Sequence, residues 1–178
     1  MTVNADIAAL IRTIPDFPKP GILFRDVTTL LLDGPGFALT VERLATLDMP
    51  PVDFIAAIEA RGFIFGAAVA KALGLGLILI RKDGKLPGAT IAVDYALEYG
   101  EDRITMHADA LVPGARVLLI DDLIATGGTA CAAVRLVRKA GGIVAGAAFV
   151  IDLPDLGGAA RLREEGVPVT TLVEFEGE

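Results

Sequence analysis

Short, mainly apolar runs that alternate with helix-like segments constrain the fold of this 178-residue chain more than any other feature. The apolar runs occupy residues 52–58, 75–80, 116–120, 143–151 and 168–173. Helical periodicity between them predicts helices over 62–73 and 129–140, and a further helix before the last run. Strands that are apolar on both faces belong to parallel sheets covered by helices on both sides. The pattern therefore predicts an α/β fold with a mostly parallel central sheet of about five strands flanked by helices.

The first 50 residues are less regular than the rest of the chain. Two prolines and a glycine in segment 16–21 interrupt regular structure there. We expect residues 1–50 to form a small cap over the sheet edge and residues 51–178 to form the core. A chain of 178 residues is about one domain long, so residues 1–178 are predicted to be a single domain.

Two polar segments interrupt the predicted core. Residues 81–88 combine basic side chains with glycine and proline, and they are predicted to form a loop. Residues 90–97 are predicted to form a strand, and the polar residues 98–103 after it are predicted to be mobile. The apolar pattern gives the least information about the structure of these two segments.

Composition excludes several classes of function. The net charge of −7 argues against a nucleic-acid partner, which needs a basic surface. One cysteine and one histidine form neither an internal disulfide nor a Cys/His zinc site. No apolar run approaches the ~18–20 residues of a membrane span, and the N-terminus lacks a signal-peptide pattern. We therefore expect a soluble, cytoplasmic protein with no membrane partner.

The stretch 117–130 (VLLIDDLIATGGTA) carries the strongest chemical signal. An apolar strand leads into Asp121 and Asp122, and a glycine- and threonine-containing turn then opens a helix. Ligands of open α/β sheets bind at the carboxyl ends of the strands, and the free N–H groups of a helix N-terminus suit a phosphate. Carboxylates before such a turn suit sugar hydroxyls, so a ribose 5-phosphate fits this order. The predicted phosphate-binding residues are Ala125, Thr126, Gly127, Gly128 and Thr129.

The spacing within this stretch separates it from two common nucleotide-binding motifs. It lacks the GxxxxGK[ST] pattern of a Walker A loop, and its acids precede the glycines, unlike in a Rossmann fingerprint. The alternative interpretation is a capped helix start with two solvated acids.

The stretch closely resembles the phosphoribosyl pyrophosphate (PRPP) binding motif of type I phosphoribosyltransferases. Further segments, in the same order and at compatible spacing, resemble the adenine phosphoribosyltransferase family within that group. The resemblance spans residues 5–175 and implies a type I phosphoribosyltransferase-like fold with an N-terminal cap and a mobile lid loop. The matching segments are 17–26 (FPKPGILFRD), 58–66 (IEARGFIFG), 81–87 (RKDGKLP), 95–100 (YALEYG) and 121–129 (DDLIATGGT).

The resemblance implies a pyrophosphate site made from two segments. Arg61 would bind pyrophosphate from the turn after a strand, and an arginine fork suits such an anion. In the similar family, the arginine that corresponds to Arg81 crosses a dimer interface, which implies a homodimer. Lys82 and Lys85 would assist, although Asp83 departs from the basic character of this loop. The alternatives are an Arg61–Glu59 pair at a surface turn and a solvated basic loop.

The resemblance also implies a base site and a lid. Phe24 would stack on adenine while main-chain groups of Leu23 and Arg25 read its edge; the alternative is that Phe24 is ordinary core. Glu98 would accept a proton from the base or orient it, and Tyr99 would pack in the closed lid. The alternative for Glu98 is a solvated loop acid.

The reaction implied is transfer of the phosphoribosyl group from PRPP to adenine, with AMP and pyrophosphate as products. Glu98, Arg61, Asp121 and Asp122 would be the catalytic residues, acting on an oxocarbenium-like transition state. Mg²⁺ would arrive on PRPP, with no protein side chain as its direct ligand. Two alternatives stay open: a phosphoribosyltransferase for another purine, and a PRPP-sensing regulator. The last strand, 167–175, has no lysine to read a 6-oxo group, which disfavours the former.

Overall fold

A seven-stranded sheet forms the centre of the protein in a computed structural model, which describes residues 4–96 and 101–177. Its strand order is β5-β6-β4-β3-β7-β8-β9, and a separate two-stranded sheet pairs β1 with β2. The strands are Arg12–Pro15 (β1), Leu23–Asp26 (β2), Phe54–Ile58 (β3), Gly76–Lys82 (β4), Thr90–Ala96 (β5), Glu101–His107 (β6), Arg116–Ile124 (β7), Ile143–Asp152 (β8) and Val169–Glu174 (β9).

Helices cover both faces of this sheet, as the apolar strands predict. The helices are Ala5–Ala8 (α1), Thr28–Leu32 (α2), Gly34–Ala45 (α3), Gly62–Leu73 (α4), Gly128–Lys139 (α5) and Gly158–Glu164 (α6). One buried cluster joins α5 and α6 to the sheet, with Leu119 and Phe149 fully buried in it. The other joins α3, α4 and the N-terminal segment to the opposite face, around Phe65 and Leu118. No helix in the described ranges has the length and apolar character to cross a membrane.

The predicted α/β class and mostly parallel sheet are confirmed, but the sheet has seven strands instead of about five. Strands β4, β3, β7, β8 and β9 are parallel neighbours. Strand β5 confirms the strand predicted within residues 90–97; it forms an antiparallel pair with β6, and β6 pairs antiparallel with the end of β4. The prediction missed β6 because its first residues, Glu101 to Arg103, are charged, and their backbone pairing with residues 94–96 holds them in the sheet.

Several strands also extend further than their apolar runs. Arg81 and Lys82 are the last residues of β4, where they pair with Thr105 and Ile104 of β6, so the predicted loop 81–88 begins later than expected. Asp121 and Asp122 lie within β7, which continues to Ile124 alongside β8. Charged side chains can belong to a strand where the sheet ends at solvent, and hydrophobicity does not mark that extension.

Helix α4 packs unusually close to the strand beneath it. A Cβ atom added at Gly66 would lie 2.5 Å from the Cβ of Ala57 on β3. Both residues are buried, so the helix cannot accommodate a methyl group without moving away from the sheet. The small residues predicted for helix 62–73 therefore set its distance from the sheet.

We predict that Gly66→Ala lowers the free energy of unfolding by about 1–3 kcal/mol, because overpacking outweighs the gain in helix propensity. Urea denaturation measures the change. Gly34→Ala at the start of α3 is the matched control, since a Cβ there meets nothing within 4 Å. Equal stability of the two variants would contradict this account of the packing.

Candidate active site

The candidate site is an open cleft of about 990 Å³ at the carboxyl ends of β3, β4 and β7. This is the sheet edge at which parallel α/β proteins bind ligands. Within the described residues, its lining includes most of the predicted phosphate, ribose and pyrophosphate residues: Arg61, Arg81, Lys82, Asp121, Asp122, Ala125, Thr126, Gly127, Gly128 and Thr129. Lys85, Leu23, Phe24 and Arg25 lie outside that lining.

The turn between β7 and α5 forms one end of the cleft. Gly127 precedes α5 with a φ of 79°, a conformation that glycine adopts without strain. The first N–H groups of a helix have no partner within the helix, so the start of α5 presents donors to the cleft. We call residues 125–129 the phosphate loop.

The phosphate loop rests on the backbone of α6. The N–H of Gly158 donates to the carbonyl of Ala125 at 3.0 Å. A Cβ atom on Gly158 would lie 2.6 Å from the nitrogen of Gly127, and one on Gly127 would lie 2.9 Å from the Cα of Gly158. The two backbones therefore touch directly, and only glycine fits at either position.

Asp121 and Asp122 form the middle of the cleft floor. Asp122 is almost fully buried, and its carboxylate accepts a hydrogen bond from Nε of Arg61. The N–H of Asp122 donates to Oδ1 of Asp121 at 2.8 Å. A Cβ on Gly62 would come within 2.6 Å of that same Oδ1, so the glycine after Arg61 makes room for the carboxylate. The alternative pairing of Arg61 with Glu59 is wrong, because Asp122 takes Arg61.

Glu59 instead holds Arg81. Nε of Arg81 donates to Oε2 of Glu59 at 2.6 Å, and one terminal nitrogen of Arg81 donates to the carbonyl of Lys85 at 3.1 Å. These contacts hold Arg81 at the lining of the cleft. Lys85 contributes its main chain to this arrangement, and its side chain lies away from the described lining.

A hydrogen-bonded chain joins Lys82 to the phosphate loop. Nζ of Lys82 is 2.9 Å from Oδ2 of Asp102, and this pairing raises the pKa of Lys82 and lowers the pKa of Asp102. The Tyr95 hydroxyl donates to Asp102 at 3.2 Å, and the Thr129 hydroxyl donates to the Tyr95 oxygen at 3.3 Å. Burial is the main cause that raises the pKa of Tyr95, which therefore stays a neutral phenol.

The predicted base-binding segment lies in the β1–β2 hairpin. Phe24 packs edge-on against Phe17 with ring centroids 5.2 Å apart, and the Arg61 guanidinium lies 5.5 Å from the Phe24 ring centroid. Phe24 therefore lies next to a residue that lines the cleft, Arg61, and is not itself part of the lining. The Arg25 side chain is buried and donates to the Thr13 hydroxyl at 2.6 Å and the Glu176 carbonyl at 2.7 Å. It ties the hairpin to the C-terminal segment, and its burial lowers its pKa. Glu98 and Tyr99 lie outside the described residues.

Comparison with known proteins identifies the family to which this chain belongs. The sequence profile of the phosphoribosyl transferase domain matches residues 31–169. An adenine phosphoribosyltransferase of Sphingopyxis alaskensis is 58% identical over 176 residues, covering 98% of this chain and 96% of that protein. The chain belongs to the adenine phosphoribosyltransferase family.

Solved structures of this family share the fold. The adenine phosphoribosyltransferase of Thermoanaerobacter pseudethanolicus superposes with a TM-score of 0.91 at 46% identity, covering 96% of this chain and 98% of that one. The enzyme of Saccharomyces cerevisiae, complexed with an imino-altritol bisphosphate and adenine, gives 0.87 at 34% identity, covering 94% and 97%. The expected type I phosphoribosyltransferase fold is confirmed.

The sequence interpretation missed Glu59, Tyr95, Asp102, Gly158 and Arg161, which line or support the cleft. Tyr95 and Asp102 are direct partners across β5 and β6. Assigning residues 95 and 102 to opposite strands of one hairpin would have predicted that Tyr95 and Asp102 are neighbours. Gly158 and Arg161 reach the cleft only through the packing of α6, which no local pattern indicates.

The neighbouring Asp122 carboxylate affects the titration of Asp121. Asp121 loses hydration on the cleft floor and faces the Asp122 carboxylate, and both effects raise the pKa of Asp121 well above its usual value near 3.8. The raised pKa means that ionising Asp121 costs more in the folded protein than in the unfolded chain.

We predict that Asp121→Asn, which resembles the protonated acid, stabilises the protein at neutral pH. The unfolded chain loses its Asp121 proton near the usual pKa, and the folded protein loses it only at the raised pKa. The stability of the native protein therefore falls relative to the variant as pH rises through this interval, and the difference becomes constant above it. Urea denaturation from pH 5 to 8 tests this. Asp109→Asn, at an exposed turn, is the control; a pH-independent difference for Asp121→Asn would contradict the prediction.

Proposed function

We propose that the protein transfers the 5-phosphoribosyl group of PRPP to N9 of adenine, forming AMP and releasing pyrophosphate. The observation that carries this function is the order of groups along one cleft. The phosphate loop follows β7, the two aspartates lie on β7, and the three cations come from the turn after β3 and from the end of β4, so these groups follow the strand order β7-β3-β4. That order matches the 5-phosphate, ribose and pyrophosphate of a single PRPP molecule. Similarity to named adenine phosphoribosyltransferases supports the same reaction.

The phosphate loop and the aspartates would position the ribose. Residues Ala125 to Thr129 would bind the 5-phosphate with backbone N–H groups and threonine hydroxyls, as helix N-termini bind phosphates elsewhere. Asp121 and Asp122 would accept hydrogen bonds from the ribose hydroxyls and stabilise positive charge on the sugar electrostatically. Since β7 holds both acids, the sugar would be positioned by a strand instead of a loop.

The cations would neutralise the leaving group. As the bond from C1 to the pyrophosphate oxygen breaks, negative charge accumulates on pyrophosphate and C1 becomes oxocarbenium-like. Arg61, Arg81 and Lys82 line the cleft where this charge would develop, and their carboxylate partners hold them in place beforehand. Preorganised charge of this kind is a principal source of catalysis. The role of the Lys85 side chain stays a prediction.

The donors in the cleft fit a magnesium ion that arrives with its substrate. No group of three histidine, cysteine or acidic side chains suited to a metal occurs in the described part of the chain. Two aspartates alone provide few ligands, whereas Mg²⁺ prefers polyphosphate oxygens with few protein ligands. Bound in this way, Mg²⁺ would add positive charge to the leaving pyrophosphate, and the acidic side chains that line the cleft are Glu59, Asp102, Asp121 and Asp122.

The base would enter from the N-terminal cap, residues 1–50. Phe24 would stack on adenine beside Arg61, with main-chain groups of Leu23 and Arg25 at the base edge. The Arg25 side chain already binds Thr13 and Glu176, so it would stabilise this site indirectly. As C1 bonds to N9, the proton of N9 must leave, and Glu98 is the predicted acceptor, with Tyr99 closing the lid.

Assembly and location are further parts of the proposal. We infer a homodimer with a cytoplasmic location from the family resemblance and the sequence. Arg81 lies in its own chain's cleft, where it pairs with Glu59. The resemblance implies that this arginine reaches pyrophosphate across the dimer interface, and that role stays a prediction.

The direct test supplies PRPP and Mg²⁺ with adenine, hypoxanthine, guanine or xanthine in separate reactions and measures the nucleotide formed. We expect AMP from adenine and at least about a hundredfold lower turnover of the 6-oxopurines, since a site matched to one base edge leaves polar groups unpaired with another. Turnover of a 6-oxopurine would retain the PRPP site and reject the base assignment. PRPP binding without turnover of any base would favour the regulator.

We predict that Arg61→Ala lowers kcat/KM for PRPP by about 30- to 1,000-fold, equivalent to about 2–4 kcal/mol, because one preorganised donor is lost. Steady-state kinetics measure the loss, and thermal unfolding checks that the fold survives exposure of unpaired Asp122. Arg116→Ala, at the opposite end of β7, is the matched control. If Arg61→Ala lowered kcat/KM for PRPP by less than about threefold, far below the loss expected for such a donor, Arg61 would not bind pyrophosphate.

A further inference from the structure

Arg161 lies at the phosphate-loop end of the cleft, on a helix that the motif does not include. Its side chain is exposed, and it lines the cleft together with residues 125–129. It belongs to α6, which follows β8 and is separated from the phosphate loop by a whole strand and helix. The position of Arg161 in the cleft therefore arises from tertiary packing alone.

The contact between α6 and the phosphate loop determines this position. Gly158 begins α6, donates to the carbonyl of Ala125 and touches the backbone of Gly127. Residues three apart on a helix share a face, so Arg161 lies one turn beyond Gly158 on the side that meets the loop. The absence of a side chain at Gly158 thus brings a guanidinium close to the phosphate loop.

The charges along the cleft differ between its two ends. Arg61, Arg81 and Lys82 each pair with a carboxylate, namely Asp122, Glu59 and Asp102 respectively. The phosphate loop itself contains no charged side chain. Arg161 forms no ion pair and no side-chain hydrogen bond with residues 4–96 or 101–177, so its guanidinium is available to an anion in the cleft.

The electrostatic influence of Arg161 also reaches the helix that the phosphate loop opens. Burial, as the largest effect, and then Glu165 raise the pKa of the Cys131 thiol on α5 to about 11, and the positive charge of Arg161 acts in the opposite direction with a smaller effect. Cys131 follows Thr129 by two residues in the first turn of α5. The guanidinium is thus within electrostatic reach of the donors that would bind a phosphate.

We propose that Arg161 binds the 5-phosphate of PRPP and of AMP, as a phosphate ligand in addition to the backbone of the loop. This inference rests on the proposed function. A guanidinium can donate two parallel hydrogen bonds to phosphate oxygens, and it neutralises charge that backbone dipoles only partly offset. The 5-phosphate does not react, so its contact with Arg161 has equal strength in the ground state and the transition state.

The test compares Arg161→Gln with Arg163→Gln by calorimetric titration of ribose 5-phosphate, AMP and pyrophosphate. Arg163 is a matched control because it lies on the same helix, carries the same charge and donates to the carbonyl of Val169 outside the cleft. We expect Arg161→Gln to weaken ribose 5-phosphate and AMP binding about tenfold or more, as for loss of a charged hydrogen bond. Pyrophosphate affinity should change less than about twofold, since the proposed function places that anion on Arg61, Arg81 and Lys82, and salt screens an exposed guanidinium that does not contact it.

Kinetics separate binding from a structural role. Arg161→Gln should raise KM for PRPP about tenfold and leave kcat within about twofold, the pattern of lost uniform binding. Arg161→Lys should restore part of the affinity, because it retains the charge and loses the fork. A purely structural role would instead lower the melting temperature and would not be rescued by lysine.

Two outcomes would overturn the proposal: equal ribose 5-phosphate affinities in the two glutamine variants, or an equal loss of pyrophosphate affinity in Arg161→Gln. The second outcome would indicate a general field effect instead of a phosphate contact. Ribose 5-phosphate titration needs no adenine and no turnover. If the protein formed no AMP, the proposed function would fail, while tenfold weaker ribose 5-phosphate binding in Arg161→Gln would still support the contact.

Discussion

The continued pairing of β7 with β8 beyond the apolar core is the constraint on which the cleft depends. Asp121, Leu123 and Ile124 stay in register with Phe149, Ile151 and Asp152 of β8. Two acids are thereby held on a strand whose backbone hydrogen bonds are already satisfied. The phosphate loop can then begin at a defined point, and α4 and α6 both pack against the end of this same strand. A loop carrying the acids would have to lose conformational freedom each time a sugar was bound.

Charge in the cleft is balanced before any ligand arrives. The chain has a net charge of −7, yet three cations line the cleft because Asp122, Glu59 and Asp102 hold them there. Surface ion pairs contribute little to stability, and these cations are between one-third and roughly three-fifths exposed. Their value is therefore geometric: long side chains are restrained near the positions where an anion would need them, at a small cost in stability.

Much of the fold and part of the site follow from the sequence for identifiable reasons. The apolar runs predict β3, β4, β7, β8 and β9, most clearly in β3, β7 and β8, where nearly every position is buried and few positions are polar. The strand–acid–glycine order predicts that Asp121 and the phosphate loop lie at the carboxyl edge, because that order is local. The resemblance adds Arg61 and Arg81, and both line the cleft.

The remainder depends on distant pairings that no local pattern encodes. Tyr95 meets Asp102 through the register of β5 and β6, and Lys82 meets Asp102 only because β6 lies beside β4. Arg61 pairs with Asp122 because β7 continues far enough to include that residue, and it does not pair with Glu59, its neighbour in the sequence. The packing of Gly158 similarly determines where Arg161 lies.

The contact between Gly127 and Gly158 also has a genetic consequence. A methyl group at either position would push the same two backbone segments apart, so the losses of stability caused by the two substitutions should not add. The two glycines thus behave epistatically as one mutational target, although all of α5 and all of β8 separate them in the gene.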